Sequence, residues 1–134
     1  MIPPAGVPGD KTLPTPDPAQ AQVIRTYGPG RFLIGEREWR EPVLVTPTLT
    51  TPWRVTRADD LSLENLAALK DLATPTELLV LGCGPRIVFV PPDRRAVLKA
   101  AGIALEVADT GSACRIYNVL LAEGRRVAAA LVPV

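Results

Sequence analysis

Two short stretches of this chain bring together residue types that can do chemistry: Gly82-Cys83-Gly84-Pro85 and Asp109-Thr110-Gly111-Ser112, the second followed by Cys114. Glycines one residue apart let a backbone approach a ligand. The third glycine and prompt helix of a dinucleotide-binding turn are missing, because Pro91-Pro92 delays the next helix. The plain alternative is a tight turn after a buried strand. Asp109, Thr110 and Ser112 stand where a helix should start. There they cap free amides, an effect of ~1 kcal/mol, or hold a small polar or anionic group on those amides. Cys114, in the first turn, feels the helix dipole, which lowers a thiol pKa, while Asp109 opposes that shift. A structural thiol is the first reading; a reactive or redox-sensing group and a disulfide to Cys83 are the alternatives. Tyr117 reads as core with its hydroxyl reaching the crevice, and Asn118 as the better polar contact. Gly82, Cys83, Gly84, Asp109, Thr110, Ser112, Cys114, Tyr117 and Asn118 thus form a candidate ligand or partner rim.

What is missing narrows the chemistry further. The 134 residues include no histidine, so Ser-His-Asp triads, His-paired cysteines and His-ligated metals are excluded. Two cysteines are too few for a structural zinc site in one chain and make no disulfide framework. No cofactor, metal or catalytic residue is expected. Glu36, Glu38 and Glu41 lack the convergent spacing of paired-carboxylate catalysis. Fifteen Lys and Arg against fourteen Asp and Glu leave a charge of +1, which supplies no field for nucleic acid or anionic lipid. The basic positions Arg94-Arg95, Arg115 and Arg125-Arg126 read as a solvated face or as a contact patch for an acidic partner. No apolar run approaches the ~20 residues of a membrane-spanning helix.

These residues need elements to hold them. Residues 1–21 form a proline-rich, flexible tail, interrupted at Pro3, Pro4, Pro8, Pro14, Pro16 and Pro18; a polyproline recognition segment is the alternative. The tail resembles neither a secretory leader nor a mitochondrial presequence, since Lys11 is its only positive charge through Gln20. Residues 22–134 are expected to form one α/β domain. Strand-like stretches run from Val23 to Tyr27, Arg31 to Ile34 and Val43 to Val45, with Gly35-Glu36-Arg37-Glu38 as a hairpin turn. Thr48 to Trp53 is ambiguous, because Pro52 forbids a central ladder position. Trp39 and Trp53 are expected to cover a sheet edge, or to mark a partner surface if exposed.

The second half alternates. A helix capped by Asp60 or Ser62 carries Leu66, Leu69 and Ala73. Leu78 to Leu81 is a strand buried on both faces. Pro91-Pro92 opens a helix that Gly102 closes. Ile103, Leu105 and Val107 alternate along a strand. Ala113, Ile116, Tyr117, Leu120 and Leu121 make one helical stripe, and Val127 to Val132 is a last buried strand. This order implies right-handed crossovers and a mainly parallel sheet, with the N-terminal hairpin as an added layer.

Tyr27-Gly28-Pro29-Gly30-x-Phe32-x-Ile34-Gly35, then Gly102-Ile103 leading to Glu106-Val107 and Thr110, then Ala113-Cys114-Arg115-x-Tyr117-Asn118-x-Leu120 with Glu123, Arg125, Arg126 and Leu131-x-Pro133 follow one another. Together they resemble the family of small domains of unknown function that includes mitochondrial complex I assembly factor three and bacterial and archaeal relatives. The resemblance covers residues 22 to 133. It implies a three-layer α/β domain whose central mixed sheet has one reversed strand. It also implies a non-enzymatic interaction protein whose partners are respiratory complex I assembly components, here in a bacterial cytoplasm or at the inner membrane through a partner. The alternative is a small-molecule-binding domain or minor thiol-dependent enzyme at the Gly82–Gly84 and Asp109–Asn118 rim. Docking on membrane or protein-export machinery and a homodimer covering the Trp39 or Trp53 edge are further options.

Overall fold

The N-terminal strands form their own small sheet. In the computed structural model, which describes residues 21–72 and 74–134, β1 (Ile24–Gly28), β2 (Arg31–Ile34) and β3 (Arg37–Trp39) pair antiparallel in that order. The stretch through residue 20, with its expected flexible tail, lies outside the described residues, as does Ala73. Phe32 and Ile34 point inward from β2 while their neighbours stay half-exposed, the period of two that a strand imposes. The second hairpin turn is shorter than expected: Arg37 and Glu38 already belong to β3, opposite Ile34 and Leu33.

A five-stranded sheet carries the rest. It contains β4 (Val43–Val45), β5 (Thr50–Pro52), β6 (Leu78–Cys83), β7 (Ala104–Ala108) and β8 (Val127–Val132), in the order β5-β4-β8-β6-β7. β6 pairs parallel with both β7 and β8. β4 pairs antiparallel with β8 and with β5, so β4 alone runs against the other four. The ambiguous threonine stretch resolves into edge strand β5, where Pro52 needs no ladder donor. Helix α1 (Pro92–Ala100) links β6 to β7, and α2 (Thr110–Ala122) links β7 to β8.

Alternation along the central strands divides their side chains between two cores. Val80, Val127, Ala129 and Leu131 meet Phe32, Ile34, Trp39, Ala113, Cys114 and Tyr117 on the face shared by α2 and the small sheet. Leu79, Leu81, Ala128 and Ala130 meet Trp53, Leu61, Leu66, Leu69 and Leu98 on the other. Each fully buried leucine contributes about 1.5–3 kcal/mol. The result is three layers on one mixed sheet.

The helix expected from Asp60 or Ser62 to Ala73 does not form. Two short 3₁₀ turns, Ala58–Asp60 and Ala67–Asp71, stand in its place. Ser62 and Asn65 cap the start of the segment reciprocally. Asn65 Oδ1 accepts from the Ser62 amide at 3.0 Å, Ser62 Oγ accepts from the Asn65 amide at 3.1 Å, and Asn65 Nδ2 donates to the Asp60 carbonyl. This cap opens one α-type turn, in which the Leu66 amide donates to the Ser62 carbonyl at 3.0 Å, and the chain then continues only as the 3₁₀ turn Ala67–Asp71. Leu66 and Leu69 are nevertheless buried.

Candidate functional site

Of the expected rim residues, Gly82, Gly84, Asp109, Thr110 and Ser112 meet at the carboxyl ends of β6, β7 and β8. Cys83 lies in the opposite core, and Tyr117 and Asn118 bond to Gln22 and Ile24. The residues at the strand ends touch rather than face one another across a gap, and Thr110 is the reason. Its hydroxyl, on a fully buried side chain, accepts from the Gly84 amide at 2.7 Å and donates to the Val132 carbonyl at 2.6 Å. The Thr110 amide in turn donates to the Gly84 carbonyl at 2.9 Å. One residue at the start of α2 therefore ties two parallel strand ends together.

The glycines around it serve close packing. A Cβ on Gly82 would stand 2.8 Å from Leu131 Cδ2 and 3.2 Å from Ala113 Cβ, so its missing side chain lets α2 settle on the sheet. Gly84 has φ +92°, the turn conformation that follows β6. Asp109 caps α2, accepting from the Ser112 amide at 2.9 Å and the Ser112 hydroxyl at 3.0 Å. Those bonds hold its carboxyl below the ordinary aspartate value. Arg115 donates to Ser112 Oγ. A Cβ on Gly111 would collide with the Tyr27 hydroxyl and lie 3.0 Å from its Cζ, so the β1 tyrosine covers the first turn of α2.

Both cysteines are buried and free, and they belong to the two opposite cores. Burial pushes the Cys114 thiol up to about 12, which outweighs neighbouring Arg115. Burial also raises Cys83, against a hydrogen bond from the Val88 backbone. Tyr117 and Asn118 do not open onto a crevice. The fully buried Tyr117 donates its hydroxyl to the Gln22 carbonyl at 2.9 Å. Asn118 donates to the Ile24 carbonyl and accepts from the Ile24 amide.

Other candidates turn inward as well. Trp53 is buried with Nε1 donating to Asn65 Oδ1, and Trp39 is buried beneath the Arg37 guanidinium, 4.0 Å from its ring centroid. Neither indole is an exposed partner anchor. Arg125 and Arg126 pair with Glu77, and Arg94 donates to the Leu61 carbonyl. Open depressions of about 450 and 350 Å³ lie elsewhere, beside Trp53 and Arg54 and beside Trp39 and Leu49. Among the described residues no group of three or more Cys, Asp or Glu could hold a metal ion. No described helix is long and apolar enough to cross a membrane.

The exposed feature that sequence reasoning missed follows the rim. Ile87 and Phe89 are 62% and 77% exposed, while Val90 between β6 and α1 is buried. The run Ile87-Val88-Phe89-Val90 reads as uniformly apolar, so only its burial reveals two faces.

Comparison with known proteins places this arrangement. Residues 24–132 match the family model described as a protein of unknown function (DUF498/DUF598). An uncharacterized protein of Rhodobacter capsulatus is 44% identical over 115 residues, covering 86% of this chain and 87% of that protein. NADH dehydrogenase (ubiquinone) 1 alpha subcomplex assembly factor 3 of Xenopus tropicalis is 35% identical over 117 residues. That match covers 87% of this chain and 64% of the frog protein, so the chain spans less than two thirds of that relative. The crystal structure of a Bordetella parapertussis protein superposes with a TM-score of 0.77 at 31% identity, covering 88% of this chain and all of that one.

Proposed function

We propose, from the premise that the chain belongs to the DUF498/DUF598 family, that it is a non-enzymatic interaction protein serving assembly or stability of a respiratory NADH:quinone oxidoreductase. The observation that carries this reading is the 35% identity to an assembly factor across 87% of the chain. The protein works in the bacterial cytoplasm and reaches the inner membrane through its partner.

The chemistry of the rim supports an interaction role over catalysis. The polar atoms that a small ligand would use at Gly84, Thr110 and Asp109 are already bonded to one another or to the helix start. A thiol with a pKa near 12 stays protonated at neutral pH, and the thiolate is the nucleophile. The alternative of ligand binding or thiol chemistry at Gly82–Gly84 and Asp109–Asn118 requires those bonds to open first.

Native-gel analysis of the oxidoreductase, with in-gel NADH dehydrogenase staining, in a strain lacking this gene tests the reading. Missing or partly assembled complex, restored by the gene and equally by Cys114→Ser, is the expected result. A normal complex in the deletion strain overturns it.

A further inference from the structure

We propose that residues 86–90 are the docking edge for an acidic, extended segment of a partner protein, which adds alongside them as a strand. The inference deepens the interaction reading above and rests on it. Burial alternates from Ile87 to Val90: Ile87 and Phe89 project into solvent, Val88 is half-buried and Val90 is buried in the core shared with Leu98. That is the pattern of a strand with one face on the protein. Yet the stretch pairs with no strand, and Arg86, Ile87, Phe89 and Val90 make no backbone hydrogen bond among the described residues. An extended chain beside it would satisfy the peptide groups of Ile87 and Phe89, which alternate residues present to one edge, and cover both large side chains, the two contributions that strand addition combines.

Charge selects the partner. Between Pro85 and Arg95 stand Arg86, Arg94 and Arg95 against the single acid Asp93. Arg86 and Arg95 are exposed, and neither takes part in an ion pair among the described residues, whereas Arg125 and Arg126 are engaged by Glu77. An acidic segment is the complement to that flank. A bilayer is a poorer fit for the same surface, because hydrocarbon would leave the bare peptide groups without partners.

The test uses the full chain in cells of the deletion strain, carrying Phe89→p-benzoylphenylalanine as a photocrosslinker, with the same replacement at exposed Val119 as the control. The expected product is an adduct at position 89 to one polypeptide, mapped by mass spectrometry to a segment of net negative charge. Arg86→Glu with Arg95→Glu should cut its yield roughly tenfold. A lipid adduct, a basic or neutral segment, equal labelling at 119, no adduct, or a yield unchanged by the two glutamates would overturn the proposal. Complementation separates this from the assembly reading. Loss of the oxidoreductase without the gene but full rescue by Ile87→Ser with Phe89→Ser defeats the docking edge alone. An intact oxidoreductase in the deletion strain defeats the assembly reading, and the adduct then still decides the edge.

Discussion

The side-chain amide of Asn118 serves both backbone groups of Ile24: Nδ2 donates to the Ile24 carbonyl at 2.8 Å, and Oδ1 accepts from its amide at 3.0 Å. An asparagine on α2 thus acts as a one-residue strand partner for β1. One residue earlier on α2, Tyr117 secures the Gln22 carbonyl. Two adjacent helix positions therefore hold the small sheet against the larger one, across 94 residues of sequence in the case of Asn118.

Asn118→Ala should destabilise the chain by about 2–3 kcal/mol, since two bonds vanish and the Ile24 groups lose their partner. Urea unfolding measures the loss, and amide exchange at Ile24 should quicken more than at β8. A change below ~0.5 kcal/mol would show that the small sheet docks through apolar contacts alone.

Thr110→Val keeps the shape of the side chain and removes both of its hydrogen bonds to Gly84 and Val132. The expected cost is about 2–3 kcal/mol, with Thr110→Ser retaining most of the stability. Equal losses in the two variants would mean that the methyl group, not the hydroxyl, matters at this position.

Gly82→Ala should cost about 1–3 kcal/mol by overpacking, because the new methyl meets Leu131 Cδ2 at 2.8 Å and the α2 position Ala113 at 3.2 Å. Pairing it with Leu131→Val would relieve the nearer contact and recover part of the loss. No recovery in the double variant would assign the strain to α2 instead.

Alkaline pH should weaken the fold. Burial raises Cys114 to about 12 from an ordinary 9.0 and pushes Tyr117 up as well. Between those values the unfolded chain has released a thiol proton that the folded chain still holds, so stability is full below pH ~9 and declines toward pH ~12. The slope in denaturant midpoint against pH should lessen in Cys114→Ala. At pH 8 iodoacetamide should modify native Cys114 far more slowly than the unfolded chain. Labelling at the rate of free cysteine would contradict both the burial and the interaction reading.

The order of elements was legible in the chain wherever local chemistry and long-range packing agree. Leu78 to Leu81 is a continuous apolar run and becomes a buried parallel strand. The stripe of Ala113, Ile116, Tyr117, Leu120 and Leu121 becomes α2, and the resemblance carried by residues 22 to 133 leads to the same mixed sheet. The sequence by itself therefore determined the α/β class and most of the buried residues, because periodicity acts over a few positions. It misled after Asp60, where the helical spacing of leucines is met by short 3₁₀ turns that bury Leu66 and Leu69 without an α-helix. Which polar groups are spent and which are offered was decided only by tertiary structure. Thr110, Tyr117 and Asn118 look available in the chain, but their partners at Gly84, Val132, Gln22 and Ile24 arrive from strands and loops distant in sequence. Ile87 and Phe89 look like core, and they are exposed because their one buried side is already taken by Val88 and Val90. Side-chain type sets what a residue can bond, and the fold sets whether anything is left to bond with.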